Sequence, residues 1–233
     1  MDRPDLGRLQ QKLGYRFEDP SLLKTALTHS SYANENKKQG SVSNERLEFL
    51  GDSVLGMAVA AMIYGSRPFL SEGRMTRLRA ELVCEKNLAG FARALELGQY
   101  LLLGHGEEKG GGRERPSILA DAVEAVIAAV YLDSGLEKVI TLITKYMAPE
   151  AARFDAINTD YKTALQEMIQ EKPGQTLSYH TTDERGPDHM KDFTVEVRLN
   201  TVFLGGGTGG SKKEAEQAAA RSALSALSKN KRY

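Results

Sequence analysis

Hydrophobic periodicity changes once along this chain, near residue 150, and that change limits the fold more than any other feature. Before it, apolar residues recur at the three-and-four spacing that turns one helix face to a core. This spacing predicts helices at about 44–64, 72–83, 86–96, 117–133 and 136–147. Pro4 and Pro20 read as first helical positions, with Gly14 as a C-cap between them. Residues 30–43 and the Gly-rich stretch 104–116 read as loops. After the change, Phe193, Val195, Val197 and Leu199 alternate with Thr194, Glu196 and Arg198, as in a strand buried on one face. Residues 176–182 and 201–205 read as its neighbours. A helix at about 160–171 precedes them and an Ala-rich helix at about 211–229 follows. The chain is therefore expected to be multidomain. An all-α domain covers 1–149, a linker 150–158, and a small α+β domain of α-β-β-β-α order 159–229.

The helical part contains an electrostatic oddity. Residues 44–55 read N-E-R-L-E-F-L-G-D-S-V-L, and Glu45, Glu48 and Asp52 fall at i, i+3 and i+7. Such spacing stacks like charges on one helix face, which is unfavourable. Leu47, Leu50, Val54 and Ala58 supply the apolar side. A second pair, Asp121 and Glu124, sits at i, i+3 on a strongly apolar helix. There Ala122, Ala125, Ala128 and Ala129 would let another helix approach closely. If the two acidic helices pack together, Glu48, Asp52, Asp121 and Glu124 converge. Carboxylates gathered in one place cannot all stay ionised without compensation. An oxygen-only set suits a hard cation, Mg²⁺ or Mn²⁺, and no Cys/His cluster accompanies it to favour Zn²⁺. The spacing alone equally allows two solvated acidic faces, with Arg46 in surface ion pairs.

Composition neither demands nor forbids a nucleic-acid partner. With 31 basic and 31 acidic residues the net charge is +0, so a polyanion would have to be met by local basic patches rather than by long-range steering. Cys84 is the only cysteine, so no internal disulfide is possible. That points to a reducing, cytoplasmic setting. The first residues, M-D-R-P-D-L-G-R, have no apolar stretch, and no signal peptide is expected. The longest apolar run, 54–64, falls short of a bilayer span, and no membrane association is expected.

The acidic stretch 44–55 resembles the signature of the ribonuclease III family. L-T-H-S-S-Y-A-N-E (27–35), L-S-E-G-R-M-T-R-L-R-A (70–80) and S-I-L-A-D-A-V-E-A (117–125) resemble further blocks of that family, in the same order. The likeness covers nearly the whole chain and is to the minimal bacterial form. It implies an all-α endonuclease domain that forms a homodimer. It also implies hydrolysis of double-stranded RNA with Mg²⁺ (Mn²⁺ as a substitute), leaving 5′-phosphate and 3′-hydroxyl ends with short 3′ overhangs, and no organic cofactor. Precursors of ribosomal RNA and structured messenger RNAs fit that substrate class.

Carried over position by position, the resemblance makes Glu48, Asp52, Asp121 and Glu124 the metal-binding acids. Asp52 and Glu124 are the catalytic pair, Glu124 matching the acid whose loss is most damaging in the family. Glu45 and Glu72 match two further acids of the catalytic valley or dimer interface. Metal ions would supply the activated water, the neutralised phosphate and the stabilised leaving oxygen, with two ions about 3.5–4 Å apart flanking the phosphate if two bind. Apolar residues around Phe49, Met62 and Phe69 are candidates for the dimer contact. His29, in T-H-S-S-Y, is expected to be a structural hydrogen-bonding residue and Cys84 a small apolar one. The 104–116 segment lacks the Lys-Ser/Thr of a phosphate-binding loop and reads as a connector.

The C-terminal part resembles a double-stranded RNA-binding domain through D-Y-K-T-A-L-Q-E (160–167), G-P-D-H (186–189) and G-G-S-K-K-E-A-E-Q-A-A-A (209–220). Ser211 and Glu214 form an S-x-x-E capping box. Lys212 and Lys213 occupy a first helical turn, where the helix dipole disfavours cations unless a phosphate binds there. By resemblance, Thr163, Gln166 and Glu167 would face one minor groove and Pro187 and His189 a second. Ser211, Lys212 and Lys213 would meet the phosphates between. Such domains read A-form shape more than sequence. Gly210 stands where the family often has a basic residue, which removes one phosphate contact. Three other readings compete with the nuclease. A double-stranded RNA binder with a vestigial nuclease fold and a ribosome-associated structural protein would each show eroded acids, and none of the acids is replaced. A hydrolase of small phosphates leaves the RNA-binding domain unexplained.

Overall fold

A computed structural model describes residues 5–67, 70–157, 161–170, 174–187 and 191–230. The chain divides into two compact units. One is Met1–Ser66 with Met75–Arg153, the other Phe154–Tyr233 with the short Arg67–Arg74 segment.

The first unit is helical. Helix α1 (Leu6–Leu13) starts on Asp5, whose carboxylate accepts the Gly7 N–H at 2.7 Å, and stops at Gly14 in the left-handed conformation, φ 70°. Pro4 lies outside the described residues, and the Asp5 cap sets the helix start instead. Helix α2 (Pro20–Ala26) begins with Pro20 at its first position, capped by Asp19. The stretch read as a polar loop contains a short helix, α3 (Ser30–Glu35), and a 3₁₀ turn at Lys37–Gln39. Neither is long enough to display an apolar period. Then follow α4 (Glu45–Ser66), α5 (Glu72–Leu82) and α6 (Glu85–Ala94). The Gly-rich connector holds a five-residue helix, α7 (His105–Lys109). Helix α8 (Pro116–Ser134) and α9 (Leu136–Ile157) complete the series.

The segment expected as a linker at 150–158 is helical as far as Ile157, and α9 runs through Pro149. Proline removes one backbone hydrogen bond. The Ala- and Glu-containing sequence around it favours helix, and Ala151 is buried. The proline therefore does not end the helix as the sequence suggests.

Helix α8 is the centre of this unit. From Ile118 to Val130 every residue is buried except Asp121 and Glu124. Helix α4 lies against it with Leu47, Gly51, Val54, Leu55, Ala58, Val59 and Ile63 buried. By length and composition α4 is the one helix among the described residues that could cross a membrane; the apolar run 54–64 is only part of it. Its apolar residues are engaged with α8 instead, as in the core helix of a globular unit.

The second unit pairs two helices with a sheet. Helix α10 (Tyr161–Gln170) precedes β1 (Leu177–Arg185), β2 (Asp192–Leu199) and β3 (Val202–Gly209), and α11 (Lys212–Asn230) follows. The strands are antiparallel in the order β1-β2-β3. Val195 and Val197 of β2 join Leu165 and Ile169 of α10 and Ala215, Ala219, Ala220, Ala223 and Leu224 of α11 in one core. Strands β1 and β3 are longer than the sequence suggests. Strand β3 continues through a run of glycines, which have low strand propensity and give no periodic signal. Those glycines are needed here. A Cβ on Gly205 or Gly207 would collide with the backbone of α11 at Ala223 or Ala219.

Candidate functional site

The first unit's site begins with a helix crossing. At Gly51, α4 meets α8 so closely that any Cβ would run into the main-chain carbonyl of Glu124. The alanines foreseen on α8 are all buried, but the glycine on α4 sets the distance. It lies between Glu48 and Asp52 in sequence, so the same contact that joins the helices brings their acidic faces together. Asn44, buried just before α4, ties this end to the preceding segment. Its N–H donates to the Thr28 carbonyl at 2.8 Å and its side-chain amide to Ala26 at 3.3 Å.

Three of the four expected acids converge. Glu48, Asp121 and Glu124 each offer an oxygen within 4.8 Å of the others. Burial, followed by repulsion from Asp52, Asp121 and Glu48, pushes Glu124 up to about 7. Burial raises Glu48 as well, helped by Asp121 and Glu45. Asp121 is raised by burial, with the charge of His29 opposing and that of Glu85 adding. Asp52 is exposed and stands outside the group of three. It is still the leading charge acting on Glu124. Its exposed position spares the group the cost of a fourth buried charge. Three half-buried acids with elevated proton affinity form an electrostatically unsatisfied set of hard oxygen donors. A divalent cation with a preference for oxygen fits that donor chemistry.

The other two acids named from the sequence are exposed and stand outside the group of three. Glu45 is exposed in the first turn of α4 and accepts from Ser43 Oγ at 2.8 Å. Glu72 is exposed at the first position of α5, outside the group of three. His29 caps α3: its Nδ1 lies 2.8 Å from Ser31 Oγ and accepts the Ser31 N–H at 3.3 Å. Sequence reasoning missed Glu85, the first residue of α6. An acid there reads as ordinary complementation of the helix dipole, so the sequence carried no signal that it would act on Asp121.

The 104–116 connector is tied to α3, to the segment just before it and to itself. The Gly104 N–H donates to Ser31 Oγ at 2.8 Å, and the His105 N–H to the Glu35 carboxylate at 2.9 Å. Arg113 donates to the carbonyls of Gly98 and Leu101 at 2.8 and 2.9 Å and pairs with Glu108; Arg115 pairs with Glu107.

In the second unit most of the described residues expected to face RNA are at the surface. Thr163, Gln166 and Glu167 are exposed on α10 at i, i+3 and i+4, hence on one face. Pro187 is exposed after β1, and His189 lies outside the described residues. Ser211 Oγ accepts the Glu214 N–H at 3.2 Å, the helix-capping half of the predicted box. Lys213 is exposed. Lys212 is exposed but engaged: its Nζ lies 2.7 Å from Glu184 Oε1 of β1 and 5.5 Å from the centre of the Phe193 ring. Lys162 is held in the same manner, 2.7 Å from Glu216 and 4.6 Å from the Tyr179 ring centre.

Comparison with known proteins gives one consistent picture. Residues 19–151 match the ribonuclease-III-like family, and residues 161–227 match the double-stranded RNA binding motif. The chain is 52% identical to the Ribonuclease 3 of Pelotomaculum thermopropionicum, over 93% of this chain and 90% of that protein. It is also 52% identical to the Ribonuclease 3 of Caldanaerobacter subterraneus, over 94% of this chain and 96% of its relative. Among solved structures, the nuclease domain of ribonuclease III from Campylobacter jejuni is similar at 43% identity and a TM-score of 0.56. That likeness covers 61% of this chain and 98% of the other, whose structure was described for flexibility in the region of dimer formation.

Proposed function

The chain belongs to the ribonuclease III family and combines its endoribonuclease domain with a double-stranded RNA binding domain. From that premise we propose that it cleaves double-stranded RNA by divalent-metal-dependent hydrolysis, leaving 5′-phosphate and 3′-hydroxyl ends with short 3′ overhangs. The observation that carries this reading is the group of Glu48, Asp121 and Glu124, whose oxygens lie within 4.8 Å of one another. All three carboxyls are held above their ordinary range. Folding alone would not favour such a group. It becomes favourable when opposite charge is shared among its members.

In this reading Glu48, Asp121 and Glu124 hold Mg²⁺ or Mn²⁺, and Asp52, whose charge already acts on Glu124, completes the set from the solvent side. When bound, the cation supplies an activated water, neutralises phosphate charge and stabilises the leaving oxygen. The protein's own part is positional. The Gly51 crossing fixes the separation of the two acidic helices, and the surrounding apolar residues of α8 keep Asp121 and Glu124 from turning away. Glu45 and Glu72 are assigned to the catalytic valley or the partner contact. Thr163, Gln166, Glu167, Pro187, His189, Ser211, Lys212 and Lys213 are assigned to the duplex.

The active form is proposed to be a homodimer. An exposed apolar face on α4 supports it: Phe49 is 80% exposed and Tyr64 77%, with Met57 between them on the same side. A large apolar face of this kind marks an interaction surface. Of the residues named from sequence, Phe49 fits this face, Met62 is half-buried, and Phe69 lies outside the described residues. The similar nuclease domain from Campylobacter jejuni, described as having a region involved in dimer formation, supports a homodimer without locating its contact. Ribosomal RNA precursors and other structured RNAs are the proposed substrates, and the cytoplasm the proposed compartment, on the strength of the lone Cys84.

The test is cleavage of a perfect RNA duplex with and without Mg²⁺, comparing the native chain with Glu124→Gln. The substitution should lower the cleavage rate by about 10³-fold or more and change duplex affinity by less than about threefold. Equal cleavage by the variant would overturn the site assignment. No cleavage by the native chain with any divalent ion would leave only RNA binding.

A further inference from the structure

Lys212 does not project freely from the start of α11. Its head lies 2.7 Å from Glu184 Oε1, and its Nζ lies 5.5 Å from the Phe193 ring centre. The two partners are themselves directly opposite each other across the β1–β2 ladder, Glu184 facing Phe193. One cross-strand pair therefore supplies both an anion and an aromatic surface to a single lysine, and the sheet register fixes their spacing. Two independent restraints on a flexible, exposed side chain are more than an incidental surface pair requires.

We propose that Glu184 is a built-in competitor for RNA phosphate at Lys212. In the free domain the carboxylate occupies the lysine head; on a duplex, a backbone phosphate takes its place, while the Phe193 ring keeps the ammonium near the same position. Binding at this point is then an exchange of anions, and Glu184 sets how strong an anion must be to win. An exposed ion pair is weak, so one phosphate held also by Lys213 and the α11 N-terminus displaces it, whereas an isolated anion gains little. Glu184 is thus an affinity- and specificity-setting residue, and the inference rests on the assignment of Lys212 to the duplex.

Binding of the full chain to a perfect duplex, in divalent-free buffer so that the RNA stays intact, tests both levels. Lys212→Gln should weaken binding; if it does not, the assignment of Lys212 fails and the competitor with it. Glu184→Gln should tighten binding roughly two- to fivefold, the size of an exposed ion pair. That gain should largely vanish in the Glu184→Gln, Lys212→Gln double variant, because the effect passes through the lysine. Asp183→Asn removes an equal charge from the adjacent position, one paired with Arg185, and serves as the control for general electrostatics. An equal gain from Asp183→Asn, or a gain from Glu184→Gln that survives without Lys212, would overturn the proposal. So would weaker binding by Glu184→Gln, which would make Glu184 a support for the lysine. Thermal melting of each variant confirms that folding is unchanged.

Discussion

The two units of this protein handle charge in opposite ways. In the first, acids are drawn together in a half-buried place, and their carboxyls are pushed toward the protonated state. In the second, two lysines near the expected RNA face, the exposed Lys212 and the half-buried Lys162, are already matched, with Glu184 and Glu216 respectively, and each is also close to an aromatic ring. In the proposed reading, the first arrangement stores repulsion that a cation would relieve, and the second stores weak attraction that a phosphate would replace. A chain with no net charge can therefore serve a polyanion and its counter-cation together, because each unit arranges its charges locally.

The sharpest way to break this contrast is at the helix crossing. Gly51→Ala should force α4 and α8 apart, since its Cβ would meet backbone rather than a side chain that could turn aside. Cleavage should fall by about 10²-fold, the scale of a small misplacement of reacting groups. Stability should fall by about 1–3 kcal/mol. Activity assays and urea unfolding check both. Full activity with an unchanged midpoint would mean that the crossing does not set the acidic group.

The stored repulsion should appear as a linkage between pH, metal and stability. Glu124 has a folded-state value of about 7 against an ordinary 4.5, so the folded protein binds more protons than the unfolded chain between those values. Its stabilising contribution is complete below about 4.5 and is lost as pH rises through 7. Metal-free protein should therefore lose about 1–2 kcal/mol across that window, after allowance for solvent screening, and Glu124→Gln should flatten the profile. Added Mg²⁺ should raise the melting temperature most above pH 7, by several degrees at about 100-fold excess over its dissociation constant. Glu48→Ala should shrink that rise more than Asp52→Ala, because Glu48 belongs to the group of three and Asp52 does not. Equal loss from the two would place Asp52 fully among the ligands.

The smallest effect is expected from the second unit. Lys213→Gln should weaken duplex binding about three- to tenfold and lower the salt slope by about one. Cleavage at saturating RNA should stay unchanged. Fluorescence anisotropy over a salt series measures the first two, and loss of cleavage at saturation would contradict the division of labour between the units.

Much of this was legible in the sequence, for reasons that can be traced residue by residue. Long helices announced themselves because α4 and α8 carry extended apolar patterns, and β2 because its alternation is strict. The Ser211 cap was readable because its partner lies three residues away. Short elements without a period, α3 and α7, were not. Strand β3 was read only in part, because its glycines carry no strand signal and are explained only by α11 lying against them.

What the sequence determined by itself is the set of local commitments: where helix gives way to strand, which faces are apolar, and which acids and lysines are available. What only the tertiary structure decided is which of those residues meet. Gly51 had to be glycine because of Glu124, 73 positions later in the chain. Asp52 stayed in water while Glu48 joined Asp121 and Glu124, and Lys212 found Glu184 across a sheet edge. The physical reason is range. Helix period, capping and strand alternation depend on neighbours a few residues apart, whereas charge convergence depends on distances fixed only when separate elements pack.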